Sequence, residues 1–541
     1  MSDENQIATA PSSPTATSHR RGLRWKPAFL ILLLCAGGII SSSVLVADRT
    51  SLVINIYRCV GLTFVALLGW WCFASRASLR TKLLGLIGVL AVIGGVVSAS
   101  VRRLEFTGDM VPRFHWRWEP SAEERTAEWL QQNAPAATVA SASEDTQFQI
   151  TADDWPRYCG FAGARLVSEP KPDFDWDSIP PQEVWRHPVG EAWSSFAIVG
   201  SRLFTQEQRG PQECVTCYDA DTGVELWRHE DSARFDTAMG GIGPRATPTV
   251  ADDALFALGA TGILNCLNPV TGESIWQRNI LDDASARMLD WAMSGSPLLF
   301  ENLVLVDAGG QQDKAVIAYD RASGAIVWAA GKHIAGYAAP RIEQISGKAQ
   351  LLIFHGEGLQ GRDPHSGEEL WNYPFVNMYH INVAQPIRFD NRIFLSNGYD
   401  GGCVLIDPTA IENGVPQEVW PMNRNLKLKF NEAVSRNGYI YGLDDGILSC
   451  LEASTGERIW KGGRYRYGQV LLWDNVLIVQ AEAGYVAAVA AEPDGYREIS
   501  RFAALSNRQD GLIVKAWNVP VVNRGRLYIR DAYEMACFDL R

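Results

Sequence analysis

"CYDADTGVELW" (217–227) holds two short apolar runs separated by an aspartate, a small hydroxylated residue and a glycine. The Asp219 side chain can hydrogen-bond the backbone of its own turn, Gly223 supplies a positive φ, and Trp227 re-enters the sheet as a large packing residue. The pattern returns as "CLNPVTGESIW" (266–276), "AYDRASGAIVW" (318–328), "GRDPHSGEELW" (361–371) and "CLEASTGERIW" (450–460). Looser copies are "VLIDPTAIENGVPQEVW" (404–420) and "VAAEPDGYREI" (489–499). A period of roughly 40 to 50 residues with four short strands per copy predicts the blades of a propeller.

A second periodic element fixes the number of blades. "SSFAIVG", "ATPTVAD", "GSPLLFE", "YAAPRIE", "AQPIRFD", "NEAVSRN", "GQVLLWD" and "NVPVVNR" each precede a further apolar strand, and read as eight innermost strands. The last copy ends without an outer strand, while "QEVWRHPV" near residue 185 is an outer strand with nothing before it. Pairing the two closes the ring and removes exposed edges. The expected fold is therefore all-β, an eight-bladed propeller over 151–541 closed by the strand at 183–190, its blades compact and nearly all its loops turns.

The chain ahead of it has a different character. Residues 1–26 read as a disordered cytoplasmic tail rich in Ser, Thr, Ala and Pro. Residues 27–101 hold three apolar runs, at about 28–47, 52–74 and 83–101, each near the ~20 residues that span a bilayer as a helix. Arg20, Arg21, Arg24 and Lys26 before the first run, and Arg76, Arg80 and Lys82 between the second and third, outweigh Arg49, so the positive-inside rule puts both basic segments in the cytoplasm. Three transmembrane helices then export the rest, and the expected location is a bacterial inner membrane, multi-pass, with a periplasmic propeller. Arg58, near the end of its run, reads as a snorkelling residue. In the segment 102–150, "SAEERTAEWLQQ" opens with a capping box, Ser121 with Glu124, and predicts a short exposed helix before an Ala/Ser/Thr-rich linker.

Composition narrows the function. A net charge of -12 and no long Lys/Arg run exclude a nucleic-acid backbone as the main partner. Cys214 and Cys217 form the lone C-x-x-C, and residues three apart on a strand face opposite ways, which speaks against a redox or metal pair. Cysteines 217, 266, 450 and 537 occupy equivalent blade positions and read as small buried core residues. No P-loop, G-x-S-x-G or H-E-x-x-H motif occurs.

With these copies and with "DWPRYCGFAG" ahead of the first blade, residues 153–541 resemble the PQQ-like repeat family of eight-bladed propellers. That family includes quinoprotein dehydrogenases and BamB-type outer-membrane assembly scaffolds. The resemblance implies either a membrane-anchored binding and assembly scaffold with envelope proteins as partners, or a PQQ-dependent sugar or alcohol dehydrogenase passing electrons to a membrane quinone. The first is the expected function, with no cofactor assigned; the second implies PQQ with calcium or magnesium. There is no adjacent Cys-Cys pair and no local Glu, Asn and Asp cluster matching the family's metal and base positions. A site would lie where the innermost strands begin and the second strands end. Arg245, Trp291, Lys427, Lys429, Lys461, Arg464 and Arg466 fall before innermost strands, and Glu207, His355, Asp444, Glu482 and Asp531 after second strands. Of these, Arg245, Arg464, Lys429 and Glu207 are the candidate cofactor-binding residues of the channel mouth, cations being suited to the carboxylates of PQQ. His355 and Glu357 alternate on one strand as metal ligands do, but two residues do not make a metal site.

Overall fold

The computed structural model describes residues 24–45, 49–75, 77–108, 110–133, 148–161, 163–506 and 515–540. The tail over residues 1–23, including Arg20 and Arg21, and also Arg76 and linker residues 134–147, lie outside them. The chain divides into two units, residues 1–118 and 119–541.

In the first unit three helices are long and apolar enough to cross a membrane: Lys26–Leu45, Ser51–Ala74 and Leu79–Ser100. The third begins before its apolar run because the Ser78 hydroxyl caps it, accepting from the Thr81 N–H. A hairpin that hydropathy does not reveal follows, Val101–Phe106 paired with Pro112–Trp116, with buried Glu105 bridging Arg103 and His115.

The second unit is an eight-bladed propeller. Seven antiparallel blades cover 197–231, 249–279, 298–330, 341–374, 387–423, 433–464 and 469–503. The eighth takes its three inner strands from 521–539 and its outer strand from Gln182–Pro188, so that Cys537 faces Trp185 and Met535 faces His187.

The turn motif works as its residue types require. Asp219 Oδ1 accepts from the N–H groups of Asp221 and Thr222 and from the Thr222 hydroxyl, and Gly223 adopts φ +72°. The tryptophan binds the next blade. Trp185, Trp227, Trp276, Trp420 and Trp460 each donate the indole N–H to a carbonyl in the neighbouring blade's turn, at 2.9 to 3.2 Å. Trp371 donates instead to Gln350, because the turn it would meet, 407–411, is the degenerate copy. Cys217, Cys266, Cys450 and Cys537 each lie opposite a blade tryptophan across the strand pair. All four are buried free thiols, which burial pushes up to about 12, so they pack and do not react.

Three features depart from the sequence expectation. The connections into the second and third blades are not turns: one carries a small hairpin, Asp236–Thr237 with Gly241–Ile242, the other a short helix, Ile280–Ala284. The helix Ala122–Gln132 has its capping box, yet it is seated rather than free. Ala122 is buried against Ala532 and Tyr533 with Trp193 packed beside them, and Trp129 stacks on His187 at 4.4 Å. Finally, the "DWPRYCG" segment enters the ring. Trp155 exchanges backbone hydrogen bonds with Ile198 of blade 1, Pro156 accepts from Val250 of blade 2, and Arg165 reaches Gln469 and Val470 of blade 7. Leu166–Val167 then adds to blade 7 as a parallel fifth strand. Innermost strands have their free edges toward the channel, so a segment pairing with those edges lies within it and covers them.

Candidate functional site

The connections that enter innermost strands and those that leave second strands share one face, the channel mouth. An aromatic basin is built there from four successive blades. Trp193 and Trp517 have ring centroids 4.9 Å apart, Trp517 and Phe430 4.7 Å, and Phe430 and Tyr467 5.1 Å. Two buried lysines are set among these rings. Lys429 Nζ donates to the Tyr467 hydroxyl at 2.7 Å and lies 4.6 Å from that ring's centroid and 5.7 Å from Tyr399's. Lys515 Nζ lies 5.1 Å from Trp517 and 5.9 Å from Trp193. Ammonium groups over aromatic faces are attracted by the ring quadrupole, more so when desolvated. Local sequence explains Lys429: in Leu426-Lys427-Leu428-Lys429 both leucines are buried in the core, which sends the lysines the other way.

Of the four candidates named from sequence, Lys429 lies in this basin and the other three lie apart from it. Arg245 folds back on its own loop, donating to the carbonyls of Gly243 and Gly240 with its guanidinium 4.9 Å from the Phe235 ring. Glu207 is fully buried in blade 1, where it accepts from Arg209, the Tyr218 hydroxyl and the Gly190 N–H. Burial alone would raise its pKa, but the Arg209 charge and hydrogen bonds hold it down to about 2. Arg464 ends the exposed outermost strand of blade 6. Lys461 shares that strand, and with Lys427 and Arg458 it closes on Asp444, which has no exposure. What sequence suggested as a ring of cations is here a clamp around one buried carboxylate.

Sequence reasoning missed Trp193, Trp517 and Lys515. A signal existed: an aromatic recurs immediately before the small or amide residue that opens an innermost strand, as Trp193-Ser194, Phe430-Asn431, Tyr467-Gly468 and Trp517-Asn518.

Stacked rings and buried ammonium groups would suit a flat polycarboxylate. Metal donors are another matter. Among the described residues no group of three or more His, Cys, Asp or Glu side chains is placed to hold a metal ion. The nearest arrangement is the stacked pair His333 and His355, ring centroids 4.4 Å apart, with His333 Nε2 3.0 Å from Asp307. Two imidazoles and one carboxylate are not the Glu, Asn and Asp donors that the family resemblance implies for a metal-assisted quinone site.

The histidine pair has a pH consequence. Burial, and then the neighbouring His333, push the His355 pKa down to about 3. The unfolded chain binds this proton near pH 6.5. Stability is therefore full above about 6.5 and is lost as the pH falls toward 3, by roughly 3 kcal/mol at pH 4. Denaturant midpoints of the parent and of His355→Gln should keep a constant offset above about pH 6.5, and below it the parent's should fall relative to the variant's as the solution is acidified; profiles that stay parallel down to about pH 4 would show that His355 does not control acid lability.

Residues 211–462 match the family model described as outer membrane protein assembly factor BamB. Over that span the chain carries PQQ-like repeats. Among curated proteins, the quinoprotein ethanol dehydrogenase of Pseudomonas aeruginosa is 28% identical over 211 residues, 36% of this chain and 30% of that protein. The quinoprotein alcohol dehydrogenase PedH of Pseudomonas putida is 25% identical over 236 residues, 39% of this chain and 38% of that protein. This chain thus spans less than two-fifths of the length of either relative. Among solved structures, a europium-containing methanol dehydrogenase superposes with TM-score 0.52 at 12% identity, covering 72% of this chain and 98% of its own. The quinohemoprotein alcohol dehydrogenase from Comamonas testosteroni gives 0.51 at 11% identity, covering 77% and 84%. At such identities these two structures establish the propeller fold alone.

Proposed function

We propose that this protein is a membrane-tethered, extracytoplasmic binding and assembly scaffold whose working surface is the rim of the channel mouth. The observation that carries this is an exposed apolar crescent. Met239, Met288, Ile334, Val376, Met378 and Tyr379 lie on the successive connections into blades 2 to 5, each 39 to 66% exposed. Exposed apolar side chains gathered on one rim mark an interaction surface, whereas scattered ones need no explanation. The match to the assembly-factor family supports the same reading. A photo-crosslinker placed at Met378 in living cells is expected to give discrete adducts with an envelope protein, and one at Ser454, on a turn of the opposite face, none. Equal labelling at both positions would remove the crescent from consideration.

The second reading is a quinone-dependent dehydrogenase. The observation favouring it is the basin of Trp193, Trp517, Phe430 and Tyr467 with Lys429 and Lys515, on a chain whose curated relatives are quinoprotein alcohol dehydrogenases. A scaffold purified whole in detergent should reduce no artificial acceptor when given PQQ, calcium or magnesium, and an alcohol or sugar. Saturable, metal-dependent reduction would overturn the scaffold reading.

The tether sets the compartment. Three apolar helices and the basic segments beside them support a propeller lying across a bacterial inner membrane from those segments. A reporter active only outside the cytoplasm should work when fused after residue 150 and fail at Ser78; the reverse pattern would put the propeller in the cytoplasm.

A further inference from the structure

Inside the ring, the segment around Trp155 to Val167 lies against blades 1, 2 and 7, and beside blades 3 to 6 it leaves two adjoining cavities of about 150 and 340 Å³. Both are bordered by Cys159, Gly163, Arg341 and Gln385. We propose that this stretch of the channel binds a small dianion of the phosphate class, held between Arg157 and Arg341.

Charge is the first argument. Four guanidiniums line the cavities, those of Arg157, Arg165, Arg341 and Arg388, against the two carboxylates of Glu343 and Glu432. Four minus two leaves an excess of two positive charges in a space walled by protein. Both carboxylates pair within the lining itself: Glu343 lies 2.6 Å from Arg341 and 3.9 Å from Arg388, and Glu432 accepts from the Tyr158 hydroxyl and the Gln385 N–H beside Arg165. Neither reaches Arg157, whose one side-chain hydrogen bond among the described residues goes to the carbonyl of Phe161 at 2.8 Å. Burial, and then the charge of Arg341, push Arg157 below the ordinary arginine value, which is how a desolvated guanidinium facing a second cation, with no carboxylate of its own, behaves.

Chemistry of the wall is the second. Ser296 is buried and its oxygen accepts from the Thr247 N–H at 2.9 Å, while no described residue takes its own proton, leaving an O–H available to an acceptor in the smaller cavity. Guanidinium forks with a hydroxyl match an oxyanion that has several acceptor oxygens, and a dianion cancels the excess charge. A like-charge pair that weakens the empty fold and gains by filling is what a binding site, rather than a packing device, would retain. The site lies within the channel and is independent of whether the mouth serves a scaffold or a dehydrogenase.

The test uses the whole chain purified in detergent, titrated with inorganic phosphate at constant ionic strength by calorimetry and by thermal unfolding. Saturable one-to-one binding with a rise in Tm is expected. Arg157→Gln and Arg341→Gln should each weaken phosphate binding by about tenfold or more. Arg157→Gln should at the same time leave the phosphate-free Tm unchanged or higher, since it relieves a repulsion. Arg436→Gln, which breaks a surface pair with Asp474, controls for loss of charge alone and should bind as the parent does. Because phosphate also stabilises proteins by exclusion from their surfaces, variants are compared at equal phosphate. Unsaturable stabilisation, parental affinity in Arg157→Gln, or equal loss in Arg436→Gln would each overturn the site. If Arg341→Gln fails to fold through loss of its Glu343 contact, Arg157→Gln decides alone.

Discussion

Replacing Trp276 with alanine is expected to destabilise the propeller by about 3 to 5 kcal/mol, measured as a lower denaturant midpoint of the full chain. The indole is only half-buried, yet it joins two blades. Its N–H donates to Arg321 O at 2.9 Å, and its face rests on Gly324, where a Cβ would come within 2.7 Å of the ring. Phe256 and Tyr319 flank it, with ring centroids 5.8 and 6.3 Å away. Alanine would lose the transfer free energy of a large aromatic, leave a void between sheets and orphan the Arg321 carbonyl. Gly324→Ala attacks the same contact from the other side, adding strain because Gly324 sits at φ +69°. The two losses should fall short of their sum in the double variant, as residues sharing one contact require. Full additivity, or an unchanged midpoint for Trp276→Ala, would mean that the repeated tryptophan does not hold blade to blade.

Arg165→Leu is expected to cost a similar amount for a different reason. Arg165 and Glu432 are both buried, 3.7 Å apart, in the middle of the ring. Arg165 also donates to the Tyr158 hydroxyl, Gln469 and Val470, and Tyr158 in turn donates to Glu432 at 2.8 Å. Removing the cation leaves a buried carboxylate without a counter-charge, a change that costs about 3 to 5 kcal/mol. Adding Glu432→Gln should recover part of the loss, because the residue left behind is then neutral and still able to bond Tyr158 and the Gln385 N–H. The readout is the denaturant midpoint together with protease sensitivity of the 153–167 segment, which this network ties to blade 7. A double variant as unstable as Arg165→Leu alone would show that packing, and not the stranded charge, sets the loss.

The propeller itself was legible in the sequence because its signals are local. Asp219, Thr222 and Gly223 close one turn among themselves, and the alternation that makes a strand amphipathic is set by neighbours two residues away. Eight such units cannot bury their faces separately, so the repeat implied the ring, and the orphan strand near residue 185 implied how it closes. The three apolar spans were legible for the same reason, since length and composition within one segment decide them.

The channel was not legible in this way. Lys427 and Lys429 are two residues apart and alike in type, yet one joins a clamp on Asp444 and the other stands among aromatic rings. Arg245 was nominated for the mouth by position and turned back on its own loop; Trp193 and Trp517 were passed over and meet only because the ring brings its two ends together. The segment around Trp155 gave no periodic signal, and its route past blades 1, 2, 6 and 7 depends on partners from distant parts of the chain. A side chain's role at the axis is set by which neighbours compete for its hydrogen bonds and charge. Those neighbours are fixed by closure of all eight blades, which no stretch of sequence a few residues long contains.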